Sequence, residues 1–410
     1  MFSTYGAVFR APATAAFSTA GVVARLAIAI YPIGIVLLVS ARTGDYGFAG
    51  VLSACYILGG APGNPLLARL ADRFGQRRVL VPATFVHAAA VITLAVLYQA
   101  KAPDWSYVLP TFVAGFAYVS IGSMVRARWS LALAGRPELS TAYSLESTLD
   151  ELVFVVGPLI ASVLATQVSP VLVLYVAVVL TGAGVAWLAS QRATEPPRHP
   201  AGAPRHPSAL RERGMLLVVC AAAAMGAVFA SAEVTLVAFC GQHHERGLSG
   251  LVIACMAGGS GVAGLYYGTR SWRSGVAQRQ LYHSLVFAVL PLLFLAVVNV
   301  GVAAAIAFVV GLGIAPTLIT TFGLVEQLVP PHSLTEGLSW PLTGLNIGYG
   351  IGSALVGGIA DAHGARVAFT VTIAAGVLTG IVALVLSARL RASGPDSRTA
   401  VGSSEHAALP

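Results

Sequence analysis

The sequence has little charge. Only 10% of its 410 residues are Asp, Glu, Lys or Arg, and 57% are hydrophobic, whereas roughly a quarter of the residues in soluble domains are charged. So little charge excludes a soluble globular protein and predicts a chain that lies largely in a lipid bilayer. The net charge of +8 does not indicate nucleic acid binding, because the basic residues are scattered between apolar segments and do not form one surface.

Cysteine is also scarce, and the signatures of catalysis are missing. The four cysteines have neither the spacing of a disulfide framework nor that of a zinc site. Adjacent His243 and His244 without further ligands are typical of solvated side chains. The segment GSGVAG from Gly259 lies inside an apolar run without a preceding strand, so it predicts helix packing and not dinucleotide binding. Without a nucleophile elbow or phosphate loop, the sequence predicts no enzyme, no metal site and no cofactor.

Long apolar segments are what the sequence does contain. A helix needs about 20 mostly apolar residues to cross the hydrocarbon core of a bilayer. Twelve segments meet this length, and we number them spans 1 to 12. They lie near 14–40, 47–68, 79–99, 106–127, 141–166, 169–190, 214–240, 249–268, 281–298, 301–326, 335–360 and 367–388.

The basic residues between the spans predict the orientation. If the amino terminus is cytoplasmic, 19 arginines lie in cytoplasmic segments and only Arg42, Lys101, Arg246 and Arg366 lie outside. Because cytoplasmic loops carry the excess of Lys and Arg, both termini are predicted to be cytoplasmic. The excess of arginine over lysine and the abundant alanine indicate a bacterial source, and therefore the inner membrane.

The chain is predicted to divide into two halves. Residues 191–213 are rich in Pro, Arg and His and cannot bury a core, so they form a cytoplasmic linker between bundles at 1–190 and 214–390, with a cytoplasmic tail at 391–410. The segments FVAG in span 4 and FVVG in span 10 are 196 residues apart, which indicates parallel repeats. The predicted fold class is an all-α membrane protein with twelve helices in two pseudo-symmetric six-helix bundles.

Charge is concentrated at 67–78, which reads LARLADRFGQRR, between spans 2 and 3. Positive-inside topology accounts for the arginines but not for the acid among them. The segment resembles the loop motif of the major facilitator superfamily, Gly-x-Leu-Ala-Asp-Arg-x-Gly-Arg-Arg, and departs from it at Ala68 and Gln76. The matching residues are Leu70, Ala71, Asp72, Arg73, Gly75, Arg77 and Arg78.

The resemblance implies a conformational latch. In the family this acid contacts the start of helix 11 and a basic residue of helix 4, which here implies contacts of Asp72 with the turn PPHSLTEG and with Arg126 or Arg128. Ser333 and Glu336 in that turn are predicted to form a capping box, and the latch is expected to be one-sided because Gly268 stands at the position matching Asp72. The residues assigned to this gate are Asp72, Arg73, Gly75, Arg77, Arg78, Arg126, Arg128 and Glu336.

Charged residues inside the spans are candidates for function, because each costs about 2.5 to 3.5 kcal/mol to insert. Span 5 carries Glu146, Asp150 and Glu151, and span 1 carries Arg25 at a comparable depth. We expect Arg25 to pair with Asp150 or Glu151, either in proton coupling or substrate binding or as a structural ion pair. Glu233 in span 7 is predicted either to carry a proton or bind a cationic substrate, or to be a protonated, hydrogen-bonded side chain.

Small residues in spans 5 and 11 suggest moving surfaces. Gly157 and Pro158 resemble the centre of the family's antiporter motif, which is associated with exporters. Gly344, Gly348 and Gly352 recur every four residues and predict close helix approach. Both features are expected at the junction of the two halves.

The expected function is secondary active transport by alternating access, energised by the proton gradient. The favoured form is a monomeric exporter of small lipophilic compounds by proton antiport, whose partners are its substrate and the bilayer. A proton-linked importer of a small metabolite is the first alternative, and a membrane enzyme or receptor that does not transport is the second.

Overall fold

The structure is a computed structural model that describes residues 2–43, 46–197, 207–245 and 248–392. The described residues form helices and connecting turns without a β-strand. Twelve helices are long and apolar enough to cross a membrane, which confirms the predicted number and the all-α membrane class. Residues 198–206 of the predicted linker and 393–410 of the predicted tail lie outside the described residues.

Ten spans are single helices or end in a tighter helical turn. Span 9 continues from Val276–Val289 into a 3₁₀ segment, Leu290–Ala296. A short helix, Phe2–Val8, precedes span 1 and was not predicted. The other nine are Thr14–Thr43 (span 1), Tyr46–Phe74 (2), Gln76–Gln99 (3), Glu138–Gln167 (5), Pro170–Ser190 (6), Met215–Gln242 (7), Ser249–Thr269 (8), Leu334–His363 (11) and Ala365–Ala392 (12).

Spans 4 and 10 are broken helices. Span 4 consists of Val108–Ala117 and Ile121–Ala132, and span 10 consists of Val300–Gly311 and Ile314–Leu328. Backbone groups freed inside a membrane are tolerated where protein surrounds them. The break in span 4 is buried, and in span 10 Gly313 is buried while Leu312 is partly buried. The two breaks lie within three residues of the 196-residue offset, which agrees with the repeat seen in the sequence.

The apolar core is shared by the two sets of six spans at one end and divided at the other. We call the end where span 2 meets span 3, near Arg73, the arginine-rich end. There Trp129 of span 4 and Phe322 of span 10 belong to a single cluster. At the opposite end Tyr31 belongs to a cluster built from spans 1 to 6 alone, and Phe369 to one built from spans 7 to 12 alone. Among the described residues, the cores of the two halves are therefore joined at the arginine-rich end and separate at the other.

The glycines of span 11 pack against span 7, within the second half. A Cβ on Gly344 would lie 2.5 Å from the carbonyl oxygen of Val219, and one on Gly348 would overlap the carbonyl oxygen of Ala223. The predicted close approach of helices is present. The prediction that it lies at the junction of the halves is wrong, because spans 7 and 11 both belong to the second half. Gly352 continues the same face against Ala227.

Gly157 has the corresponding position in the first half. A Cβ there would lie 2.7 Å from the Cβ of Ala29 in span 1, so Gly157, which precedes Pro158, belongs to the contact of span 5 with span 1. Its predicted place at the junction of the halves is also wrong. Parallel repeats explain both results, because spans 5 and 1 correspond to spans 11 and 7.

Candidate functional site

A cluster of four charged side chains lies inside the first half. Arg25 is 4% exposed and donates from Nη1 to Asp150 Oδ1 at 2.7 Å, from Nε to the Gly21 carbonyl at 3.2 Å, and from Nη2 to Glu146. The predicted pairing with Asp150 is therefore present, and the alternative pairing with Glu151 is wrong. Gly157 contributes indirectly, because it brings span 5 close to span 1.

The two carboxylates of this cluster differ in access. Glu146 is fully buried, and its Oε1 accepts from Ser18 Oγ at 2.7 Å and from Trp129 Nε1 at 2.8 Å. The side chain of Asp150 is 27% exposed, and its Oδ2 accepts from Arg126 Nη2 at 2.7 Å. Two arginines thus balance two acids, and Asp150 is the acid that solvent reaches.

Arg126 and Arg128 do not hold Asp72, contrary to the prediction. Arg126 binds Asp150, and Arg128 donates from Nε to Gln76 Oε1 at 2.8 Å and from Nη1 to Thr194 Oγ1 at 2.9 Å. Both arginines are buried within the first half and meet partners there. The family motif has arginine at the position of Gln76. An arginine there could not accept this hydrogen bond, because its side chain has donors only.

Two further acids lie near the junction of the halves. Glu151 accepts from Ser260 Oγ of span 8 at 2.6 Å, and Glu233 accepts from the hydroxyl of Tyr349 in span 11 at 2.6 Å. In the part of the chain that the structure describes, no salt bridge reaches either carboxylate. Each is therefore held by a hydroxyl group that can bond the acid in either protonation state.

Asp72 caps span 11. Its Oδ1 accepts from the backbone N–H of Thr335 at 3.2 Å and its Oδ2 from that of Glu336 at 2.8 Å. The predicted capping box is wrong, because Ser333 makes no side-chain cap hydrogen bond and Asp72 takes its place. An acid at a helix amino terminus is also favoured by the helix dipole, so this contact joins the halves at the arginine-rich end.

Glu336 binds the linker near the start of span 11. Its carboxylate accepts from the Ser208 hydroxyl and from the backbone N–H of Ala209, the latter at 3.2 Å. Arg69 Nε lies 3.8 Å from its other oxygen. The remaining gate residues, Arg73, Arg77 and Arg78, are exposed, and Gly75 has the positive φ of 94° that this turn requires.

Nearer the arginine-rich end than the Glu151–Ser260 contact, spans 5 and 8 are joined by hydroxyl groups that bond backbone carbonyls. Thr141 Oγ1 donates to the Gly268 carbonyl at 2.8 Å, and Ser144 donates to the Gly264 carbonyl. Tyr5 of the short amino-terminal helix donates to the Leu265 carbonyl at 3.0 Å. The expectation of a one-sided latch therefore holds for the charged contact of Asp72, which has no counterpart at the matching Gly268, whereas hydrogen bonds join both pairs of spans. Hydroxyl side chains near the start of a helix carry no sequence signal that would identify this contact.

The described contacts between the halves share one side of the molecule. Hydrogen bonds, ion pairs and cation–π contacts between spans 1 to 6 and spans 7 to 12 lie at the level of Glu151 and Ser260 or nearer the arginine-rich end. Within the described ranges, no group of three or more His, Cys, Asp or Glu could hold a metal ion.

Comparison with known proteins decides the family. The family model described as Major Facilitator Superfamily matches residues 17–333, which is most of the chain. The chain belongs to the major facilitator superfamily. The resemblance of the loop motif to this family is therefore confirmed, and the chain is a transporter and not an enzyme. No curated protein matches the sequence.

Solved structures of transporters share the fold of this superfamily member. The human organic anion transporter MFSD10 is 15% identical with a TM-score of 0.70, covering 90% of this chain and 98% of that one. A bacterial homologue of the iron transporter ferroportin in an outward-facing state is 14% identical with a TM-score of 0.71, covering 92% and 99%. The fucose:proton symporter FucP of E. coli is 13% identical with a TM-score of 0.70, covering 91% and 98%.

Proposed function

We propose that the protein is a proton-coupled antiporter that exports small lipophilic compounds. The observation that carries this proposal is Asp150, the solvent-reached acid of a buried cluster, which two arginines share. The two arginine contacts compensate the charge of the Asp150 carboxylate, and loss of either contact leaves that charge less compensated inside the protein. Such a group can exchange a proton for a substrate as the cluster rearranges.

The arrangement of the two ends supports a cycle of alternating access. With the arginine-rich end placed at the cytoplasm by the positive-inside rule, the contacts of Asp72, Glu336 and Ser144 close the cytoplasmic side. In this proposal the separate cores at the other end leave the protein open to the outside, and Asp150 receives its proton from that side. The gate role of Asp72, the boundaries of the two bundles, the monomeric state and the bacterial inner membrane belong to this proposal.

The acids without an arginine partner fit an export role. Glu151 and Glu233 each face a hydroxyl from a neighbouring span, which suits groups that hold a proton or meet a cationic substrate. The Gly157–Pro158 pair, which resembles the antiporter motif, packs span 5 on span 1 and so supports the geometry of the coupling cluster. These features favour antiport over a proton-linked importer.

The decisive experiment follows pH inside energised inside-out vesicles that contain the protein. Lipophilic cations, neutral drugs and sugars are added in turn, and proton release from the lumen is followed by fluorescence. We expect substrate-induced release, and we expect Asp150→Asn to abolish it while the protein still folds, as judged by size-exclusion chromatography. The matched control is Asp104→Asn, an exposed acid at the opposite end.

The results separate the two transport functions. Proton release that persists in Asp150→Asn would remove Asp150 from the mechanism. A proton movement that accompanies substrate in the same direction would establish the importer instead.

A further inference from the structure

Arg126 is a buried cation with few hydrogen bonds. It is 1% exposed, and of its nitrogen atoms only Nη2 has a partner, Asp150. Nε and Nη1 are buried without a hydrogen bond. Buried polar groups are normally bonded, and an unpaired charged donor is costly, so this guanidinium depends strongly on its single acid.

The other contact of Arg126 comes from the second half. Its Cζ lies 4.1 Å from the ring centroid of Phe322 in span 10, and Phe322 is itself 1% exposed. The face of an aromatic ring attracts a cation, most strongly where water is excluded. Phe322 therefore both stabilises the guanidinium and keeps water from its free N–H groups.

The contact of Arg126 with Phe322 joins two residues that occupy equivalent positions in the two repeats. Arg126 and Phe322 are 196 positions apart, and so are Ser130 and Glu326, whose side chains hydrogen bond one helical turn away. Equivalent residues of two repeats touch only near the axis that relates them. Any separation of the halves at the arginine-rich end must therefore remove the ring from Arg126.

We infer that Phe322 is the positioning residue that couples protonation of Asp150 to opening of the arginine-rich end. A proton on Asp150 removes the charge that compensates Arg126, so the guanidinium stays charged and buried with the ring of Phe322 as its main remaining electrostatic support. Opening lets water reach Nε and Nη1, so it becomes favourable once Asp150 is neutral. This inference rests on the proposed function, because it takes Asp150 as the proton carrier.

The groups that surround Asp150 set the background of the test. Span 1 contributes Arg25, span 4 contributes Arg126 and Tyr118, and span 5 itself contributes Glu146 and Glu151. Spans 8 and 10 present Ser260 to Glu151 and Phe322 to Arg126. The charged groups nearest Asp150 thus come from the first half. The second half contributes the ring of Phe322, which contacts Arg126.

The test measures opening against pH in the full-length protein. Spin labels are attached to cysteines introduced at the exposed sites Ala134 and Ser271, in a chain whose four native cysteines are replaced, and their separation is read by pulsed electron paramagnetic resonance. We expect the separation to increase on acidification. Asp150→Asn is expected to give the long separation at every pH.

Phe322→Leu keeps apolar volume and removes the ring face. Because the closed arrangement then loses stability, less protonation is needed to open it, and the midpoint is expected to move to higher pH by about half a unit or more. Phe322→Tyr, which retains the ring face, is expected to keep the wild-type midpoint. Phe287→Leu is the matched control, a buried ring of span 9 that packs against Phe229.

The outcomes distinguish the inference from the function on which it rests. A wild-type midpoint in Phe322→Leu, with the pH response lost in Asp150→Asn, would overturn the role of Phe322 and leave Asp150 as the carrier. An unchanged pH response in Asp150→Asn would overturn both. If Phe287→Leu shifted the pH midpoint as much as Phe322→Leu does, loss of packing would explain the shift, and the inference would be overturned.

Discussion

At the scale of single residues, Asp72 caps a helix to which it does not belong. Span 11 lacks a cap from its own chain neighbour Ser333, so its first N–H groups depend on an acid delivered by span 2. When the halves separate, that helix loses its cap. In the proposed transport cycle this helix end would therefore report closure at the arginine-rich end.

Asp72→Asn tests this role of the helix end. The amide keeps one acceptor oxygen but loses the charge that the helix dipole favours, an effect of typically 0.3 to 1 kcal/mol and up to about 2 kcal/mol where partly buried. We expect the open population at the arginine-rich end to rise by about 2- to 30-fold. The measurement is the rate at which a thiol reagent labels Ser333→Cys, a residue buried in the closed form.

The control for this prediction is Asp104→Asn, which lies on an exposed turn at the opposite end. Equal labelling rates in Asp72→Asn and the parent would show that the charge on Asp72 does not hold the halves together.

At the scale of elements, the close contact of span 11 with span 7 depends on the absence of side chains. Gly348→Ala would push a methyl group into the carbonyl oxygen of Ala223, whereas Gly350 on the same helix faces open space. Overpacking of this kind costs about 1 to 3 kcal/mol. We expect Gly348→Ala to lower the melting temperature in detergent and Gly350→Ala to leave it unchanged. Equal melting temperatures would show that the helices adjust without strain.

The elements were largely predictable from the sequence, because span length and apolar composition are local properties. The number of spans, their order and the depth match of Arg25 with Asp150 follow from counting residues. The breaks in spans 4 and 10 were not predicted, since both lie inside unbroken apolar runs. Their stability comes from neighbouring helices and not from local sequence.

The sequence did not predict most of the side-chain contacts between different spans. Arg126 and Arg128 are two residues apart on one helix, yet one binds Asp150 and the other binds Gln76. Their choice depends on helix rotation and on the departure of this chain from the family motif at position 76. Phe322 gave no signal at all, because an aromatic residue in an apolar span is ordinary.

At the scale of the whole molecule, the proposed alternating access requires the arginine-rich end to open. A Cβ placed on Gly264 of span 8 would lie 3.2 Å from Thr148 Oγ1 of span 5, so cysteines at these two sites are close enough for a disulfide. We expect the double variant Thr148→Cys, Gly264→Cys to lose transport on oxidation and regain it on reduction. Transport is measured in vesicles before and after each treatment.

Each single cysteine variant is the control, and it should be indifferent to oxidant. Undiminished transport in the fully cross-linked double variant would mean that substrate passes without separation of spans 5 and 8, and alternating access as proposed would fail.

The contacts between equivalent positions have a consequence for the origin of the molecule. In an assembly of two identical six-helix chains, Arg126 would face its own copy and the two guanidinium groups would repel each other. Two copies of Glu326 would repel in the same way. Joining the halves in one polypeptide lets each position differ from its duplicate. The pairing of a cation with a ring and of a hydroxyl with an acid requires two halves of different sequence, as this chain has, so a substitution at one of these positions changes the partner that its equivalent position needs.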